Sequence, residues 1–222
     1  MGTRDFTLHK TIITDNTSIA PGVNLTRLER KFDFIPGQVI GVTVSKDIPP
    51  RLYSLCSGTE DKEFEILYNV VESGLLTPRM EPLQPGEQVY ITEPFGSFTH
   101  VDCHVNWVAA GTGIAPFISM LRSGITPKGW MVYGARKSEN FFFSQMLRSH
   151  FNERFIACCS GDCDANDDFY KGRLTTYLSE AEDLKPGEMY YLCGSVDMVI
   201  QTREILMQKG VFYDNIRAEI YF

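Results

Sequence analysis

The sequence predicts two fold classes in tandem: an antiparallel β-barrel of six short strands, then a parallel sheet interleaved with helices. Two observations carry this prediction. Up to about residue 100, short alternating runs are separated by turn residues. Beyond it, short wholly apolar runs alternate with segments long enough for helices, the pattern of strands covered on both faces. The change of pattern falls near His100–Val105, dividing the chain into regions 1–100 and 101–222.

In the first region, Phe6–Ile13 alternates imperfectly and 16–22 is rich in turn formers. Val23–Thr26 alternates again, and Pro36-Gly37 turns into Gln38–Val44. The Arg51 strand follows Pro49-Pro50, then comes Phe64–Val71, and Pro85-Gly86 turns into Gln88–Ile91. In the second region, Trp107–Ala110, Trp130–Tyr133, Phe155–Cys158 and Met189–Cys193 read as buried strands. Helices are expected at Pro116–Ser123, Ser138–Arg148, Leu174–Glu182 and Val196–Lys209.

Composition narrows the function classes. A formal net charge of −7 argues against a nucleic-acid surface or an anionic membrane as partner. The most apolar stretch, Trp107–Leu121, is too short to span a bilayer and is interrupted by Gly111, Gly113 and Pro116. The first residues lead into an alternating segment rather than an apolar signal core, so a cytoplasmic protein is expected. Cysteines 56, 103, 158, 159, 163 and 193 show no C-x-x-C pairing and no plant-type iron–sulfur spacing. No metal site is expected, and the cysteines read as reduced thiols.

Four stretches carry chemistry. In Arg51-Leu52-Tyr53-Ser54, strand alternation puts Arg51 and Tyr53 on one face and Ser54 on the other. Arginine suits a phosphate, tyrosine a flat ring, and serine a ring nitrogen. In Gly74-Leu75-Leu76-Thr77-Pro78, Thr77 reads as an N-cap and Pro78 as the first helical residue, so free backbone N–H groups would face an anion. Gly111-Thr112-Gly113-Ile114-Ala115-Pro116 lies between a buried strand and a helix, where glycines allow close approach to a pyrophosphate. Cys193-Gly194 ends a strand of the same sheet and leaves room for a flat ring; the chain closes on Glu219-Ile220-Tyr221-Phe222.

In this order, these stretches, together with Phe34-Ile35-Pro36-Gly37-Gln38 and Pro94-Phe95-Gly96-Ser97-Phe98, resemble the ferredoxin–NADP reductase family. The Gly-Leu-Leu-Thr-Pro-Arg run and the Ala-Glu-x-Tyr ending look most like its compact bacterial ferredoxin or flavodoxin reductases. The resemblance implies an FAD-binding barrel and an NAD(P)-binding α/β domain. It implies that Arg51 and the amides of Gly74, Leu75, Leu76 and Thr77 meet the FAD pyrophosphate. Leu52 and Tyr53 would lie along the flavin, Ser54 near its N5, and Tyr68 against the flavin nucleotide. Gly111, Thr112, Gly113 and Ile114 would hold the phosphates of NADPH or NADH. Cys193 and Gly194 would border the nicotinamide, with Tyr221 and Phe222 over the flavin and Glu219 close by. The implied reaction passes hydride between nicotinamide C4 and flavin N5, with a separate ferredoxin or flavodoxin as one-electron partner.

One departure concerns the nucleotide. Family members selective for NADP often carry Ser-Arg after the third sheet strand, whereas this chain has Cys159-Ser160-Gly161-Asp162. Arg136, Lys171 and Arg173 remain as sources of positive charge, so both nicotinamide cofactors stay open. Two other functions share the resemblance. One is the reductase component of an oxygenase system. The other is a non-catalytic electron-transfer subunit of a larger enzyme, a type that carries a C-terminal cysteine cluster lacking here.

Overall fold

A computed structural model describes residues 6–100, 104–163 and 168–221. Its contacts divide into two compact units. One comprises the chain up to Thr99 together with Ala115–Gly124; the other comprises His100–Ile114 and the chain from Ile125 onward.

The first unit holds β1 (His9–Ala20), β2 (Val23–Glu29), β3 (Val39–Thr43), β4 (Arg51–Ser54), β5 (Glu63–Asn69), the one-turn helix α1 (Thr77–Met80) and β6 (Gln88–Ile91). Its antiparallel strands run in the order β4-β3-β6-β1-β2-β5. The ends of that row meet. Leu55 bridges Ile66, and the Cys56 N–H donates to the Glu65 carbonyl at 2.7 Å, which closes the sheet into a barrel. Closure removes the exposed edges that an open sheet would present. Ile13, Leu28, Ile40, Val42, Leu55, Phe64, Ile66, Val89 and Ile91 fill the interior.

The 16–22 stretch corrects the sequence reading. It is mostly strand: β1 continues to Ala20, and only Pro21-Gly22 turns, with Gly22 at φ 69°. Register shifts between Ile13 and Asp15 and between Ser18 and Ala20 interrupt the alternation, which is how a bulged strand hides its period. The bulges let β1 pair with β6 at one end and with β2 at the other.

The second helix of the chain, α2 (Ala115–Arg122), packs with the barrel, although it follows the first strand of the second region. Ser119 Oγ donates to the Ser57 carbonyl at 2.7 Å, Phe117 meets Phe98 edge-on, and Arg122 pairs with Glu65 and Asp61. A split at residue 100 therefore describes the order of the chain but not its packing.

The second unit is a parallel sheet. Its strands are β7 (Val105–Ala110), β8 (Met131–Ala135), β9 (Phe155–Cys159), β10 (Tyr170–Lys171), β11 (Met189–Ser195) and β12 (Ile216–Tyr221), in the order β10-β9-β8-β7-β11-β12. Helices α3 (Ser144–Phe151), α4 (Leu174–Glu180) and α5 (Val196–Gln208) accompany them. Four of the six strands are the predicted buried runs; β10 and β12 extend the sheet at its edges. The helix expected over Ser138–Arg148 is replaced by a 3-10 turn at Ser138–Asn140, and α3 starts only at Ser144. Phe141 and Phe142 are buried, Phe141 against Tyr133, and Phe143 has φ 57°, so the aromatic anchors break the helical path between the two segments.

The cysteines also differ from expectation. Cys159 and Cys163 form a disulfide, because the turn after β9 returns the chain to its own strand end. Cys56, Cys158 and Cys193 are free and buried, and Cys103 lies outside the described residues.

Burial pushes several weak acids upward: the Cys158 thiol to about 12, Tyr190 to about 12, and Cys56, Cys193, Tyr53 and Tyr68 in the same direction. The fold thus prefers their neutral forms. This preference is fully in place below the ordinary thiol value of 9.0 and is lost as pH climbs through the raised values. Stability should therefore be flat from pH 7 to about 8.5 and fall steadily above it. Urea midpoints across that range measure this, and a midpoint that rises with alkali would contradict it.

Candidate functional site

Two clusters of sequence-predicted residues are present, one in each unit. In the barrel, β4 pairs with β3 so that Arg51 faces Val42 and Tyr53 faces Ile40. Arg51 is exposed, Leu52 is 47% exposed, Tyr53 is half-buried and Ser54 is buried. The Tyr53 ring meets the Tyr68 ring edge-on at 5.7 Å. Burial raises the Tyr53 phenol, with a smaller contribution from Tyr68, while the Arg51 cation acts the other way. Among the described residues, Arg51 makes no ion pair. The neighbouring barrel arginines are engaged, Arg27 with Asp15 and Glu65 and Arg30 with Asp33.

The Gly74–Thr77 segment differs from its sequence reading. Thr77 is the first residue of α1 and not its cap; Leu76 holds the cap position without a side-chain bond, and Pro78 follows one place later than expected. The Thr77 hydroxyl instead accepts the Val71 N–H at 2.9 Å, closing the loop before the helix. One turn is too short to build much of a macrodipole. Leu75 is 66% exposed, while Leu76 and Met80 are buried in the same core cluster as Tyr68, with Tyr53 packed against it.

In the parallel sheet, register gathers the second cluster. Tyr133, Ala109, Cys193 and Glu219 lie in one row across β8, β7, β11 and β12, and Ser195 faces Tyr221 two residues on. Cys193 is fully buried; its thiol is raised first by burial and then by Glu219, and the Tyr221 hydroxyl hydrogen-bonds to it. Gly111–Ile114 forms a 3-10 turn rather than an open loop. Its two glycines serve different ends. Gly111 has φ 54° with open space around its α-carbon, so a ligand can approach there. A β-carbon on Gly113 would lie 2.4 Å from the Cys193 carbonyl oxygen, so this glycine serves close packing against β11. Gly194 is less constrained, since a β-carbon there would first meet the flexible end of the Met198 side chain.

Arg136, Lys171 and Arg173 are exposed at the carboxyl ends of the neighbouring strands β8 and β10, on either side of β9. Phe222 lies outside the described residues. Sequence reasoning missed the polar strip Asn24–Thr26, buried beside Tyr68 on the wall of the first cluster. A period-two pair of amide and hydroxyl in a strand is the signal that marks it.

Residues 107–204 match the family described as the oxidoreductase NAD-binding domain. The probable dihydroorotate dehydrogenase B electron transfer subunit of Pyrococcus abyssi is 32% identical over 200 residues, spanning 90% of this chain and 74% of that protein. A solved ferredoxin–NADP+ reductase from Neisseria gonorrhoeae superposes with a TM-score of 0.86 at 20% identity, over 97% of this chain and 99% of the other. The chain belongs to the ferredoxin–NADP reductase family. The propane 2-monooxygenase reductase component of Mycolicibacterium smegmatis is 27% identical over 213 residues. That match covers 86% of this chain and 61% of the longer relative, so the chain spans about three fifths of such reductase components. Among the described residues, no helix is long and apolar enough to cross a membrane.

Proposed function

We propose that this chain is an FAD-dependent oxidoreductase that moves electrons between NAD(P)H and a separate one-electron carrier such as ferredoxin or flavodoxin. The observation that carries this reading is the exposed Arg51 fork, which makes no ion pair among the described residues, two positions along β4 from the Tyr53 ring that meets Tyr68; this donor set fits a phosphate joined to a flat ring. Arg51 and the amides of Gly74–Thr77 would hold the FAD pyrophosphate. Leu52, Tyr53 and Tyr68 would line the flavin, with Ser54 near its reactive edge. FAD, when bound, accepts a hydride and releases electrons singly.

Gly111–Ile114 and Gly194 would admit the nicotinamide dinucleotide. The Cys193–Glu219–Tyr221 row would orient its ring, with Phe222 next in the chain. Arg136 and Arg173, with Lys171, are the charges available for a 2′-phosphate. The cytoplasm is the location proposed: among the described residues three buried thiols stay free, and the one disulfide, Cys159–Cys163, closes only a local turn. A second reading has the chain serving as the electron-transfer subunit or reductase component of a larger enzyme. The similarity to the Pyrococcus abyssi subunit and to the Mycolicibacterium smegmatis reductase favours it.

The test is a flavin spectrum on purified protein, then rapid-mixing reduction with NADH and NADPH in parallel. FAD at one per chain and reduction by at least one nicotinamide are expected. Protein that binds no flavin after reconstitution would sink the reading. Cys193→Ser should leave FAD content unchanged and slow reduction about tenfold, because a displaced ring loses reactive alignment. An unchanged single-turnover rate would remove Cys193 from the site.

A further inference from the structure

Asn16 sits midway along β1, in the stretch whose composition reads as a turn, and it belongs to none of the motifs above. Its carboxamide is the hub of a polar web. Nδ2 donates to the carbonyls of Met80, Glu81 and Leu83 at 3.1, 3.0 and 3.0 Å. These include acceptors at the carboxyl end of α1, which the helix cannot satisfy itself. Oδ1 accepts the Thr26 hydroxyl at 2.5 Å and the Asn24 amide at 3.4 Å. Thr26 and Asn24 are buried on β2 beside the Tyr68 hydroxyl, and Asn24 is the register partner of Tyr68. One side chain therefore links the end of α1 and the turn after it, Met80–Leu83, to the strand pair that carries Tyr68, and through the Tyr68–Tyr53 ring contact to β4.

The chemistry of the hub is specific. It needs two hydrogens facing carbonyls on one side and lone pairs facing donors on the other, and only a carboxamide supplies both. Aspartate would turn a carboxylate toward three carbonyl oxygens. Serine is too short to reach both sides. A pure packing role would not require this polarity.

We infer that Asn16 is a positioning residue for the flavin-nucleotide face of the barrel, holding the Gly74–Thr77 segment in register with Tyr68 and Tyr53. The inference rests on the FAD reading above. Its prediction concerns where affinity is lost. FAD spans both the segment and the ring pair, whereas FMN lacks the second phosphate and the adenosine. Freeing the segment should weaken FAD more than FMN.

The experiment titrates flavin-stripped full-length protein with FAD and with FMN, following flavin fluorescence, and records the melting midpoint without ligand. Asn16→Asp and Asn16→Ala should weaken FAD about tenfold or more, as expected for several lost hydrogen bonds, and FMN by clearly less. Thr26→Val removes one donor to the hub while keeping the strand's volume, and should shift FAD in the same direction by a smaller factor. Equal FAD affinity in all variants overturns the inference. So does an equal loss of FAD and FMN with a lowered melting midpoint, which would mark Asn16 as a general packing residue. Wild-type protein that binds no FAD would instead overturn the flavin reading itself, and Asn16 with it.

Discussion

Glu65→Ala should lower the unfolding free energy by about 3 kcal/mol, the largest stability loss expected from one side chain outside the apolar core. The Glu65 carboxylate is only 4% exposed. It accepts Arg122 Nη1 at 2.6 Å and Arg27 Nε at 2.9 Å. Arg27 is its register partner on β2, and Arg122 ends α2, so the charge ties a helix from the second half of the chain to the barrel wall. Removing it leaves two guanidinium groups with weaker partners, Asp61 for Arg122 at 2.7 Å and Asp15 for Arg27 at 3.6 Å. Both arginines retain some solvent, which places the cost at the lower end of the range for broken buried pairs. Asp15→Ala is the control. The Asp15–Arg27 contact is about 40% exposed on both sides and should matter by less than about 0.5 kcal/mol. Urea unfolding of the three proteins decides the point. A Glu65→Ala loss no larger than that of Asp15→Ala would show that the Glu65 carboxylate does not hold α2 to the barrel wall.

Arg51→Ala should weaken FAD binding by about 1.5–3 kcal/mol, roughly ten- to a hundredfold, with little change in the stability of the flavin-free protein. The side chain is exposed and makes no ion pair among the described residues, so its loss should cost the fold little. Arg51→Lys keeps the charge without the planar fork, and its affinity should fall between the other two. Fluorescence titration measures all three. Wild-type affinity in Arg51→Ala would free Arg51 from the pyrophosphate and leave the Gly74–Thr77 amides as the remaining candidate.

The register row in the parallel sheet shows how sequence and structure divided the work. Cys193-Gly194 was visible as a strand end, and Glu219 and Tyr221 as an unusual tail. Their adjacency depends on β12 pairing in parallel with β11, a contact between segments separated by a helix. Likewise, Gly111-Thr112-Gly113 was recognisable as a strand-to-helix junction, but the purpose of Gly113 became clear only from the Cys193 carbonyl oxygen beside it.

By itself, the sequence determined the two fold classes, most of the strands, and α4 and α5. All of these depend on periodicity, turn residues and local spacing, which a chain displays without folding. Only the tertiary structure decided that β1 runs through Asn16 to Ala20, because bulges erase the alternation that marks a strand. It alone assigned α2 to the barrel, delayed α3 behind two buried phenylalanines, and joined Cys159 to Cys163. Asn16 and Glu65 were illegible for the same physical reason: the carbonyls that Asn16 meets lie 64 to 67 residues away and the arginines that Glu65 meets 38 to 57, and a hydrogen bond or ion pair leaves no mark on the sequence near either end.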